Sequence, residues 1–323
     1  MQYRVLGKTG IQVSVIAFGA GPISTLMVGE ERCLQTQVVR HALECGINWF
    51  DTAATYGQGA SEISLGLALK EIAPERMPHI ATKVRFSPED LSDILGAARR
   101  SLTESLRRLQ VSNVTLLQLH NSITPQRGDE PTSIAPQDVL GPNGVAQAFA
   151  QLRDEGYVRF LGFTGLGHPD SMAQIACSGR FETIQVPYHM LNPSAGRCMP
   201  AEFMETNYGN IIDVCARQSL GVFVIRVLAG GALAGNEPSP HTYKTPFFPL
   251  DLYLRDRQRA DELVAGYLGR DELARQAIRF SITHTQVQAA IIGFASNSQI
   301  DEAVKALPHR SPITRSRDAF LFT

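Results

Sequence analysis

Residues 79–120 read HIATKVRFSPEDLSDILGAARRSLTESLRRLQVSNVTLLQLH. Both ends are short runs rich in β-branched and aliphatic residues, His79–Val84 and Val114–His120, and fit buried strands. Between them Leu91, Ile94, Leu95, Ala98, Leu102, Leu106 and Leu109 recur at helical spacing, which predicts a helix over Pro88–Leu109. Ser87 is placed to cap its free amides, Pro88 suits the first turn, and Asp90 completes a capping box. Strand, helix and strand in this order make one βαβ unit.

The unit repeats in both directions. Further strands are expected at Val13–Phe18, Asn48–Asp51, Val158–Phe163, Thr183–Pro187, Gly221–Arg226 and Ala289–Ile292. Further helices are expected at Glu31–Cys45, Glu62–Ile72, Gly144–Glu155, Asp170–Gly179, Ile211–Gln218, Asp271–Thr283 and Ser298–Leu307. From residue 48 to residue 183, successive strand starts average roughly 34 residues apart, the size of one strand–helix unit. Eight strands alternating with eight helices predict an α/β chain folded as one (β/α)8 TIM barrel over residues 1–323. An open doubly wound sheet uses the same units. Its glycine fingerprint is incomplete here, since Gly19-Ala20-Gly21-Pro22-Ile23-Ser24 lacks the third glycine, and the barrel is favoured. Two connections, 121–143 after the fourth strand and 229–270 after the seventh, are too long for turns. In a barrel such loops lie at the C-terminal mouth, where substrates are selected. The second holds Phe247, Phe248 and Tyr253 and is expected to carry a helix of its own.

Composition narrows the function. The 323 residues are 44% apolar and 19% charged, with 30 Lys and Arg against 31 Asp and Glu. That balance offers no basic stripe for nucleic acid. The most apolar stretch, Val222–Gly235, is broken by Arg226, so no membrane span is expected. The opening MQYRVLGKTG has no apolar signal region, and five scattered cysteines without a CxxC pair fit free thiols in a reducing cytoplasm. No HxH, HExxH or GxSxG occurs, so neither a metal site nor a nucleophilic serine is expected. The expectation is a cytoplasmic enzyme acting on a small molecule.

Catalytic groups in a barrel project from the C-terminal ends of several strands. Here those ends carry Asp51, Lys83 and His120, and Tyr56 follows in the loop after Asp51. A free phenol gives up its proton only near pH 10. A neighbouring Lys83 ammonium would stabilise the phenolate, with Asp51 keeping Lys83 charged and aimed at Tyr56. His120 would donate to a substrate carbonyl oxygen. Such a set supplies a proton to a carbonyl that takes hydride from elsewhere, and no side chain donates hydride, so a nicotinamide cofactor is implied.

The chain resembles the aldo-keto reductases from end to end. Tyr3–Gly10 with Val13-Ser14 is similar to the hairpin that plugs the barrel bottom in that family. Gly46–Ala53 with Tyr56-Gly57, Ser61-Glu62 and Leu65-Gly66 resembles its best-known signature. Lys83 in Ala81-Thr82-Lys83-Val84 and His120 in Leu117–Asn121 fall where the family has its other two catalytic residues. The resemblance implies a tetrad of Asp51, Tyr56, Lys83 and His120, and NADP(H) or NAD(H) extended across the mouth. Gln185 matches the glutamine that holds the nicotinamide carboxamide, and Thr164-Gly165 stands where the family usually has Ser-Asn. After the seventh strand Arg226, Leu228 and Gly230 are the candidates for the ring and phosphates. At the adenosine end Gly293, Ser296, Asn297, Gln299 and Glu302 are the candidates, with Ser298 and Asp301 at capping-box spacing. Many relatives grip the 2′-phosphate with Lys and Arg where this chain has Gly293 and Gln299, so weak discrimination between the two cofactors is expected. A sugar-dehydrogenase branch making lactones is a close variant, suited by the polar loop Asn121–Arg127. The alternative is a cofactor-binding regulatory subunit with little turnover.

Overall fold

The computed structural model describes residues 1–266 and 269–308; residues 267–268 and 309–323 of the expected domain lie outside the described residues. The chain opens with an antiparallel hairpin, β1 (Tyr3–Val5) and β2 (Gln12–Ser14). Eight parallel strands follow: β3 (Ile16–Gly19), β4 (Trp49–Asp51), β5 (His79–Val84), β6 (Val114–Leu119), β7 (Val158–Thr164), β8 (Thr183–Pro187), β9 (Gly221–Ile225) and β10 (Ala289–Gly293). They close into a barrel as β10 pairs with both β9 and β3. Closure removes the open-sheet alternative and leaves no free edge.

Strand alternation builds the interior. Ala17, Trp49, Ala81, Leu116, Phe223, Ala289 and Ile291 form one buried apolar cluster with Leu6, Ile11 and Val13 of the hairpin region. This is the barrel floor, and the Trp49 and Phe223 rings fill its centre with centroids 4.6 Å apart. The turn of the hairpin presses on β9 so closely that a Cβ on Gly7, at φ +45°, would lie 2.3 Å from the Gly221 nitrogen. Side chains two residues further along each strand point to the same interior, one layer nearer the mouth. Those positions are Gly19, Asp51, Lys83, Gln118 and Ile225, so the period that fills the floor also delivers the polar groups above it.

Three expected elements differ in detail. The run Val13–Phe18 is two strands, because Ser14 turns the chain from hairpin to barrel. Its hydroxyl donates to the Ile16 carbonyl at 2.6 Å and accepts from the Asn48 amide at 3.1 Å. Both halves are apolar, which hides the bend. The expected helix over Pro88–Leu109 begins instead at Ile94, after a 3₁₀ turn over Glu89–Ser92. Ser87 and Asp90 make their reciprocal bonds, at 2.8 and 3.4 Å, on that turn. The α-helix is capped by Asp93, whose Oδ1 accepts from the Gly96 amide at 3.0 Å. At the last helix, Asn297–Lys305, the cap is Ser296, accepting from the Gln299 amide at 3.4 Å, and Asp301 faces His41 instead.

The second long connection follows the expectation of a helix, and the first carries one that was not expected. The first holds a short helix, Pro136–Leu140, and the second a helix at Leu250–Gly266. The latter packs Tyr253 and Ala260 on Ala229, Ala232 and Leu233. Asp93→Ala is expected to lower unfolding free energy by about 1 kcal/mol, and Ser87→Ala by much less. Urea denaturation of the two variants checks the order; the reverse order would restore the start at Pro88.

Candidate active site

Period-two alternation carries Asp51, Lys83, Gln118 and His120 to the mouth side of the interior, and a tight loop brings Tyr56 to them. That loop contains three successive residues with positive φ, Gly57, Gln58 and Gly59. A Cβ on Gly59 would sit 2.7 Å from the Arg108 side chain, so the loop is pinned against the helix behind it. Arg108 in turn donates to Glu62 Oε2 at 2.7 Å, and Thr82 donates to Oε1 at 2.5 Å. Ser61 bonds the Ala20 carbonyl at 2.6 Å. The signature residues Ser61 and Glu62 therefore brace the loop rather than enter the mouth.

Lys83 is fully buried. Its Nζ donates to Asp51 Oδ1 at 2.5 Å, to the Thr52 carbonyl at 2.9 Å and to the Tyr56 hydroxyl at 3.2 Å. Burial alone would push the ammonium down, but Asp51 and Tyr56 outweigh it and hold Lys83 above the usual lysine range. The Tyr56 and His120 rings meet edge to face with centroids 5.6 Å apart. His120 Nδ1 lies 3.3 Å from the Thr55 hydroxyl. Burial, followed by the charges of Arg85 and Lys83, holds this imidazole well below its ordinary range, so it is neutral at pH 7. All four residues expected at the mouth converge.

Gln118, absent from the expected set, links two that were in it. Its Nε2 donates to Thr164 Oγ1 at 3.0 Å and to Gln185 Oε1 at 2.9 Å. Its Oε1 is buried without a partner among the described residues. Gly165 has no side-chain amide to offer there, and a Cβ at its position would lie 2.8 Å from Ile184 Cδ1. The signal for Gln118 lay in the alternation, two residues before His120.

Several other candidates are already engaged. Arg226 is not a free stacking group for a ring: its guanidinium lies 4.3 Å from the Phe248 centroid and pairs with Asp256 at 3.3 Å. Its backbone is left-handed, as is that of Ala229, both unfavourable for non-glycine residues. Leu228 accepts from the Gly231 amide at 2.9 Å, within a turn where Gly230 has φ +72°. Gln299 Oε1 accepts from the Ala295 amide at 2.7 Å. Glu302 is held by Arg275 at 2.6 Å and Lys305 at 2.7 Å. Gly293 lies at the end of β10 and faces Ser24. Asn297 Oδ1 is buried with no partner among the described residues. Arg127 of the polar loop is paired with Asp138. His41, Cys45 and Asp301, away from the mouth, bring donor atoms within 4.8 Å of one another, and the His41–Asp301 pair at 2.8 Å ties two helices. Among the described residues no helix is long and apolar enough to cross a membrane.

The sequence matches the aldo/keto reductase family over residues 16–315. It is 26% identical to L-galactose dehydrogenase of Arabidopsis thaliana, covering 95% of this chain and 88% of that one. It is 27% identical to a probable voltage-gated potassium channel subunit beta of the same plant, covering 97% and 94%. The holo form of aldo-keto reductase AKR11C1 from Bacillus halodurans aligns with a TM-score of 0.69 at 24% identity, covering 97% of this chain and 93% of that one. The last is a likeness of fold.

The buried histidines set a pH dependence. Burial, then the charges of Arg226 and Arg259, holds His189 well below 6.5, as His120 is held. Each takes a proton in the unfolded chain but not in the folded one, so stability is full above pH 6.5 and falls as the pH drops. Asp256, pushed up to about 6 by burial, gains its proton first in the folded state and offsets part of the loss below that pH. Urea midpoints between pH 7.5 and 6 are expected to fall with pH, and His189→Gln to flatten the slope. A flat wild-type profile would contradict the assignment.

Proposed function

The chain belongs to the aldo/keto reductase family, whose members are NAD(P)-dependent oxidoreductases, and on that premise we propose that it interconverts an aldehyde, ketone or sugar with the alcohol or lactone, Tyr56 moving the proton. We read residues 1–323 as one catalytic domain. The observation that carries this reading is the chain of contacts from Asp51 through Lys83 to the Tyr56 hydroxyl, with His120 beside it.

The donor set suits a nicotinamide dinucleotide. Gln118 Oε1 and Asn297 Oδ1 are buried acceptors awaiting donors, one inside the mouth and one at the helix near its rim. Thr164 and Gln185 would hold the carboxamide, and the turn at Leu228 and Gly230 would offer amides to the phosphates. Ser296, Asn297 and Gln299 would meet the adenosine end. When bound, the cofactor supplies or accepts hydride.

The chain's own residues do the rest. For reduction, Tyr56 gives its hydroxyl proton to the carbonyl oxygen, and the negative charge left on the phenol oxygen meets the Lys83 ammonium. Asp51 keeps that ammonium charged although it is fully buried. In the tautomer in which Thr55 donates to Nδ1, neutral His120 carries its proton on Nε2 and orients the carbonyl. For oxidation the same phenolate takes the proton back. Arg275 reaches the last helix but is held by Glu272 and Glu302, so among the described residues this cation is already matched and does not favour a 2′-phosphate. NAD(H) and NADP(H) should therefore serve comparably.

The potassium-channel relative motivates a second reading, a regulatory subunit that binds cofactor with little turnover. A complete proton path has no use in that role. Tyr56→Phe should cut turnover at least a hundredfold while leaving cofactor binding, followed by fluorescence, nearly unchanged. Unchanged turnover would remove Tyr56 from its role, and a wild type inert on a broad aldehyde and aldose panel would favour the regulator. Steady-state kinetics with both cofactors should give values of kcat/KM within about tenfold. A preference for NADP(H) above a hundredfold would defeat the cofactor reading.

A further inference from the structure

Among the described residues three cations at the mouth are matched by carboxylates, and a fourth, Arg85, is not. Lys83 is matched by Asp51, Arg226 by Asp256 and Arg127 by Asp138. Among the described residues no carboxylate pairs with Arg85 and no hydrogen bond reaches its guanidinium. Its Nε is buried without a partner. The Phe247 ring of the 229–270 loop packs on the cation, 4.9 Å from its carbon.

The strand register says where this cation stands. Lys83 pairs with Gln118 and Val84 with Leu119 across β5 and β6. One step further the same register sets Arg85 beside His120. Alternation along β5 carries Ala81 to the floor, Lys83 to the proton path and Arg85 to the next layer outward. The backbone there is fixed on both sides, since the His120 amide bonds the Val84 carbonyl at 2.8 Å and the Phe86 amide bonds Asn121 Oδ1 at 2.9 Å. The charge is felt across the mouth: after burial, it is the next cause holding both His120 and His241 below the ordinary imidazole range.

A half-buried guanidinium with an unmet donor, fixed on rigid backbone and stacked on an aromatic ring, is a site for a planar oxyanion. We propose that Arg85 binds a carboxylate of the substrate, so that the preferred substrates are carbonyl compounds bearing an acid group, such as uronic acids or aldehyde acids. This rests on the oxidoreductase reading above and extends it to a substrate class. Phe247 would shield the pair from water, and His120 would hold the carbonyl end while Arg85 holds the acid end.

The test compares matched substrates, D-glucuronate with D-glucose and 4-carboxybenzaldehyde with benzaldehyde. Wild-type kcat/KM should favour the acid of each pair at least tenfold, mainly through KM. In Arg85→Gln that ratio should collapse toward one, and Arg85→Lys should restore part of it. Equal rates within each wild-type pair, or a ratio that survives in Arg85→Gln, would overturn the proposal. So would a rise in cofactor dissociation constant with the substrate ratio unchanged, which would make the cation a phosphate contact. Calorimetry with D-gluconate and D-glucitol decides the matter without turnover. Gluconate should bind the cofactor-loaded wild type at least tenfold more tightly than it binds Arg85→Gln, and glucitol should show no such difference. If no carbonyl reacts at all, the oxidoreductase reading fails while the calorimetry still judges the anion site.

Discussion

Everything at the mouth depends on one buried ion pair. A lysine ammonium with no solvent contact is costly unless its partners are in place, and breaking such a pair typically costs about 3–5 kcal/mol. Lys83 meets that demand with Asp51, the Thr52 carbonyl and the Tyr56 hydroxyl, which use its three protons. The strands bearing the two charges are adjacent in the barrel, so closing the sheet and forming the pair are one event. The Tyr56 phenol is then held by a group that the fold cannot release.

The sequence revealed this centre because strand alternation is rigid. Once Lys83 and His120 are placed on strand ends, residues two positions away must share their interior; the same rule places Gln118 and Arg85 there, although neither was singled out from the sequence. The same alternation puts Trp49 and Phe223 on the floor. Less legible were features decided between two equally good local signals. Ser87 with Asp90 and Asp93 with Gly96 both obey capping chemistry, and only packing of the later turn on the barrel chooses the second. Ser296 and Ser298 present the same ambiguity.

Partners far along the chain were not legible at all. Arg226 read as a free cation because Asp256 and Phe248 lie in a long insertion whose path no periodicity dictates. The pairing matters, because Arg226 sits in a left-handed backbone conformation that needs outside support. The insertion supplies it with one aromatic ring and one carboxylate, and sets the neighbouring Phe247 on Arg85. Two successive phenylalanines thus cover two cations on opposite terms: one neutralised, one left open.

The hairpin under the floor has a consequence for how the chain is made. Arg4 donates to the carbonyls of Ile282 and Val287, the second 283 residues away, and Gln2 reaches the Pro308 carbonyl at 2.8 Å. These hairpin residues are therefore made 278 or more residues before the partners that hold them. During that interval Leu6, Ile11 and Val13 are apolar surface without a floor to fill, so synthesis is the stage at which this barrel is most open to capture by a chaperone or by another unfinished copy.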